Sequence, residues 1–141
     1  MNLVKTFENA FKRKEERGWD RIYVFVDIHD TIFKSDYGVG KNLEFYKYCQ
    51  DVLITLSNME DVVLGLLTSS YDKDIQEYQK VFKKCGINFQ LVNENPMEKN
   101  TKVACFDKKP YFNVLIDDKA GFDAESDWFP IHRYLWKKIN Y

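Results

Sequence analysis

Three carboxylates stand where apolar runs stop. Ile22 to Val26 run without alternation into Asp27, and Val114 to Ile116 run into Asp117 and Asp118. Runs of this kind read as strands buried on both faces, and open α/β sheets bind ligands at the carboxyl edge where strand order reverses. Neighbouring strands lie about 4.8 Å apart, so acids ending two adjacent strands meet within several ångströms. Unit charges at about 4 Å repel by roughly 1 to 4 kcal/mol, depending on the local dielectric. Such a group protonates, pairs with cations or binds a metal. All-oxygen ligation with open positions suits Mg²⁺, which also takes phosphate oxygens as ligands. Thr68 ends a further apolar run that starts at Val62, and offers a hydroxyl donor. Lys108 or Lys109, ahead of the last run, can supply positive charge. Carboxylates, metal, hydroxyl and lysine together describe a site for phosphoryl transfer, with Thr31 and Ser69 as further candidate substrate contacts.

The surrounding pattern says what positions these residues. Residues 2–18 read as an amphipathic helix with Leu3, Phe7 and Ala10 on one face and Gly18 as its stop. The Lys12–Lys14 cluster reads as its solvated side. Residues 41–58 and 73–84 show helical spacing, with Asp72 as a cap for the second and Gly86 as its end. Strands are expected at 22–26, 62–67, 87–92 and 111–116, a short fifth at 128–131, and a last helix at 134–139. Strands alternating with helices imply an α/β fold: a parallel sheet of about five strands with helices on both faces.

Composition bounds the rest. The 141 residues suit one domain, with the 2–18 helix packed on it, and 45% hydrophobic residues supply ample core. With 21 basic and 22 acidic residues, charge indicates neither membrane nor nucleic acid as a partner. No apolar run approaches a membrane span and no signal-peptide core opens the chain, so a cytoplasmic location is expected. Cys49, Cys85 and Cys105 lack CxxC spacing and read as reduced, mostly buried thiols.

Here the motifs meet a family. Asp27-Ile28-His29-Asp30-Thr31 resembles the first motif of the haloacid dehalogenase superfamily, DxDx(T/V), which follows an apolar strand. Val62 to Thr68 resemble its second motif, Lys108 or Lys109 its isolated third-motif lysine, and Val114 to Asp118 its fourth, with Asp123 as a trailing acid. The resemblance implies a Rossmann-like sheet with the Asp27 and Asp117 strands adjacent. Asp27 would be the nucleophile, and Mg²⁺ would be held by Asp27, the backbone carbonyl of His29 and Asp118, with Asp117 binding it directly or through water. Thr68 would hydrogen-bond a phosphoryl oxygen, and one lysine would neutralise the aspartate–phosphate pair. The residue before a proline is conformationally restricted, which favours Lys108 over Lys109.

His29 departs from the pattern, because phosphatases of the superfamily carry Asp there as general acid and base. Three readings stand open: His29 does that work, Asp30 turns inward instead, or proton transfer is lost. The metal contact survives the change, since it uses the backbone. Neither the gap after Thr31 nor that between Val92 and Lys109 holds a cap domain. A capless site admits a large phosphorylated substrate, such as a polynucleotide end, a phosphoprotein or a lipid-linked head group, or takes a partner subunit as lid. A phosphate-monoester hydrolase leads. A catalytically weak binder of a phosphorylated ligand or protein is the alternative, and a dehalogenase-like hydrolase a third. His132 reads as a core or surface residue, Gly38, Gly40 and Gly121 as turns, and Trp128, Phe129 and Trp136 as packing at the sheet edge. Tyr37 is open to stacking on a base or sugar.

Overall fold

Ile22–Val26 (β1) has a strand on each side. The computed structural model describes residues 2–34 and 43–140, and in it Val62–Leu66 (β2) and Val114–Ile116 (β4) flank β1 in parallel. Leu91–Val92 (β3) adds to β2, giving the order β3-β2-β1-β4. Among the described residues the fold is therefore α/β, with a wholly parallel sheet of four strands. The strand expected at 128–131 does not form: those residues are the first turn of Trp128–Ile139 (α4). Pro130 is tolerated there because first-turn N–H groups have no helical acceptor. Trp128, Ile131 and Leu135 bury one helical stripe.

The other helices are Val4–Arg17 (α1), Cys49–Asn58 (α2) and Asp72–Lys84 (α3). Gly18 ends α1 as expected, left-handed at φ 68° with its N–H on the Lys14 carbonyl. Of the Lys12–Lys14 cluster, Lys12 pairs with Glu16 on the solvated face, whereas Lys14 is mostly covered and pairs with Asp61. α2 starts later than the spacing suggests, because Tyr48 is left-handed and Phe45 bridges to Phe33. Asp72 is the first residue of α3 and makes no side-chain cap.

Among the described residues, helices cover one face of the sheet, not two. Buried residues of all four join a single core with Ile22, Val24, Val26, Leu64, Leu66, Val114 and Ile116. The other face, around Tyr23, Phe25, Val63 and Leu91, is packed by Tyr111 and Phe112. Right-handed crossovers explain the split. β1→β2 and β2→β3 step in one direction and carry α2 and α3 on one side, whereas the return to β4 crosses the opposite face. That return, residues 93–113, forms no helix or strand.

Two strands are shorter than expected because side chains take their backbone partners. Asn113 Oδ1 accepts the Tyr23 N–H at 2.7 Å, and Ser57 Oγ accepts that of Asn88 at 2.8 Å. Cys49 is buried, but Cys85 is half-buried and Cys105 exposed, so the thiols are not mostly buried. Trp128 lies in the helix-side core, while Phe129 and Trp136 are exposed, correcting their assignment to the sheet edge. Tyr37, Gly38 and Gly40 fall outside the described residues. No helix among the described residues is long and apolar enough to cross a membrane.

Candidate functional site

β1 and β4 meet where the connections change direction, β2 lying on one side of β1 and β4 on the other. Both strands open onto acids there. The Asp27 N–H still bonds the Ile116 carbonyl at 2.9 Å, so the two strand ends are held in register. Beyond them Asp27, Asp117 and Asp118 converge, one ligand oxygen from each lying within 4.8 Å of the others. Trans ligands of an octahedral Mg²⁺ would stand about 4.2 Å apart, a spacing of the same order as this one. The chemistry fits too: hard oxygens with no sulfur or imidazole among them.

A tight turn after β1 braces the acids. The Ile28 carbonyl accepts the N–H groups of Thr31, Ile32 and Phe33, and Asp30 takes a left-handed conformation at φ 58°. Buried Ile28, Ile32 and Phe33 anchor the turn. It brings Thr31 Oγ1 within 3.3 Å of both Asp27 Oδ2 and Asp118 Oδ1. Thr31 is fully buried, and the Trp128 indole donates to its carbonyl at 2.9 Å. Thr31 therefore braces the acids from inside the fold, its hydroxyl turned toward Asp27 and Asp118. On the far side the Lys119 N–H donates to Asp117 Oδ1 at 2.9 Å.

Crowding shows in the protonation of the cluster. Burial, then a hydrogen bond with Asp118, then the charges of Asp117 and Asp118 push the Asp27 carboxyl up to about 7. Metal-free, the cluster holds a proton near neutrality.

A second group adjoins at the end of β2. Thr68 Oγ1 lies 3.0 Å from Ser70 Oγ, which lies 3.2 Å from His29 Nε2. Asn93, left-handed after β3, accepts the Thr68 N–H on Oδ1 at 2.7 Å. The His29 ring is exposed and meets Tyr78 edge-on at 5.8 Å. Ser69 is exposed. The imidazole thus faces hydroxyls, and its side chain stands outside the carboxylate cluster. Ser70 and Asn93 were not singled out from sequence. A faint signal exists for Ser70, since Thr68 and Ser70 are two apart in extended chain and share a side.

The two candidate lysines lie on the crossover. Lys108 and Lys109 are exposed on the irregular return to β4, and neither forms an ion pair among the described residues. Lys109 Nζ instead lies 5.5 Å over the Phe112 ring. Asp123 behaves as a turn residue, accepting the Glu125 N–H at 3.0 Å. Gly121 ends the short 3-10 turn Asp118–Ala120 at φ 102°. His132 packs against Tyr48, with ring centres 5.3 Å apart.

No family model matches the chain, and no curated protein sequence matches it. Among solved structures, a conserved protein coded by a locus of Bacteroides thetaiotaomicron superposes with a TM-score of 0.63 at 21% identity. The match covers 84% of this chain and 92% of that one. At that identity the likeness speaks for the fold alone: a Rossmann-like α/β arrangement that both proteins share.

Proposed function

We propose that the protein is a Mg²⁺-dependent hydrolase of phosphate monoesters, working through an aspartyl-phosphate on Asp27 as its resemblance to the haloacid dehalogenase superfamily implies. The convergence of Asp27 with Asp117 and Asp118 at the sheet's switch point supports this reading most directly. Bound there by the three acids, Mg²⁺ would screen their charge and that of the phosphoryl group. An oxygen of Asp27 attacks phosphorus, the ester oxygen leaves as an alcohol with a proton from His29, and an acyl phosphate results. Water then attacks that phosphorus while His29 takes a water proton, releasing phosphate and restoring the Asp27 carboxylate. Thr68 donates its hydroxyl hydrogen bond to a phosphoryl oxygen. Residues 93–113 add no domain over the edge, which favours a large phosphorylated substrate.

A binding protein that retains the fold with little turnover is the second reading, favoured by the absence of an ion pair at either lysine among the described residues and by His29 in place of Asp. Purified protein with Mg²⁺ and a panel of phosphomonoesters separates the two. Turnover that Asp27→Asn abolishes, with folding intact, is the expected result. Absence of turnover across the panel, alongside retained Mg²⁺ and phospholigand binding, favours the binder.

A further inference from the structure

Three of the exposed large apolar side chains lie on α4: Phe129, Trp136 and Ile139, at 42, 59 and 53% exposure. Their spacing of seven and three residues sets them along one stripe. Beside the stripe, α2 and α4 leave a recess of about 150 Å³, lined by Val52, Thr55, His132, Leu135, Trp136 and Ile139. Tyr48 extends the apolar ground, its ring centre 5.0 Å from that of Phe129. Cations border it: Lys47 Nζ lies 5.3 Å over Tyr48 and the Arg133 guanidinium 5.8 Å over Phe129. Among the described residues neither forms an ion pair with a carboxylate. α4 carries Arg133, Lys137 and Lys138 and no acid at all, in a chain whose net charge is −1.

We propose that this recess docks a short amphipathic segment of a partner protein, with one bulky apolar side chain entering between α2 and α4 and flanking carboxylates meeting Lys47 and Arg133. Charge selects the occupant. An isologous contact with a second copy sets α4 against α4 and brings its uncompensated cations together. An acidic segment neutralises them instead. Shape separates a segment from an anionic lipid surface, because a concave recess accepts an inserted side chain whereas an interfacial helix presents a convex apolar face. Desolvated aromatic anchors of the Trp136 kind carry most of the affinity in such contacts. None of the acids at the sheet edge lines the recess, and the proposal stands whether or not those acids catalyse.

The test is selection of a random 16-residue peptide library on the whole chain, followed by titration of the synthetic winners. Enriched peptides are expected to share one large apolar residue flanked by Asp or Glu. Trp136→Ala should weaken them at least tenfold and Arg133→Glu severalfold, while Val103→Ala, on the exposed return loop, leaves them unchanged. Both test residues are exposed, so circular dichroism should show folding intact. Failure to enrich any peptide, or enrichment of peptides indifferent to Trp136→Ala, overturns the proposal. So does Trp136-dependent dimerisation in sedimentation, or binding to phosphatidylserine vesicles that the selected peptides do not displace.

Discussion

Thr31 and Asp118 bond each other twice: Thr31 Oγ1 accepts the Asp118 N–H at 3.1 Å and donates toward Asp118 Oδ1 at 3.3 Å. The same hydroxyl lies 3.3 Å from Asp27 Oδ2. One buried oxygen therefore links the two chain segments that carry the acids. Thr31→Val keeps the shape and removes the link. It should destabilise the fold by about 1–3 kcal/mol through the unpaired Asp118 N–H. Mg²⁺ affinity should fall roughly tenfold to a hundredfold as the acids lose their brace. Urea unfolding and calorimetric Mg²⁺ titration measure the two effects. Unchanged Mg²⁺ affinity in the folded variant would show that the acids orient themselves.

The raised carboxyl of Asp27 ties stability to pH. Unfolded, the group ionises near 3.8, and folded near 7. Between those values the folded chain holds a proton that the unfolded chain has released, so metal-free stability falls as pH rises through the window. Mg²⁺ must displace that proton, so its affinity should climb with pH and level off above about 7. The melting temperature should therefore rise more on adding Mg²⁺ at pH 8 than at pH 6. Asp27→Asn should remove this pH dependence and make the metal-free protein more stable at pH 8. Equal Mg²⁺ shifts at the two pH values would count against a shared proton in the cluster.

His29 is the acid–base candidate whose imidazole is held by Ser70 Oγ at 3.2 Å. His29→Ala should lower phosphatase turnover by about 10² to 10⁴, the usual worth of general acid–base catalysis. Ser70→Ala should cost less, by about tenfold, since it frees the ring without removing it. His29→Asp is the sharper comparison, measured as kcat on one phosphomonoester. A rise of tenfold or more would mean that the imidazole does not do the work of the carboxylate usual at this position.

Gly65 tests the thinner side of the sheet. A Cβ built there would lie 2.6 Å from a Phe25 ring carbon, on the face packed by the crossover rather than by helices. Gly65→Ala should destabilise by about 1–3 kcal/mol as the ring is forced aside. Adding Phe25→Leu should recover part of that loss in the double variant. A neutral Gly65→Ala would show that the crossover side yields readily, which denaturant midpoints would reveal.

Much of the scaffold is written locally. Apolar runs, the second interrupted only by Gly65, mark β1 and β2, and their ends at Asp27 and Thr68 place both residues at the carboxyl edge. α1 and its Gly18 stop, and most of α3, follow from helical spacing and termination over a few residues. The pairing of Asp27 with Asp117 and Asp118 was readable as a condition: it holds if the two strands are neighbours, and they are.

Where partners are remote, sequence was silent or misleading. The 128–131 stretch looks like a strand because apolar residues crowd it, yet burial of Trp128, Ile131 and Leu135 against the core makes it helix. Helices expected on two faces share one, because the return crossover carries none. Thr31 meets Asp118 across 87 residues, and His29 meets Ser70 across 41. Residue type and spacing along the chain determine which groups sit at a strand's end, since backbone geometry repeats over a few residues. Which hydroxyl faces which acid depends on how distant segments pack, and only the folded chain sets that distance.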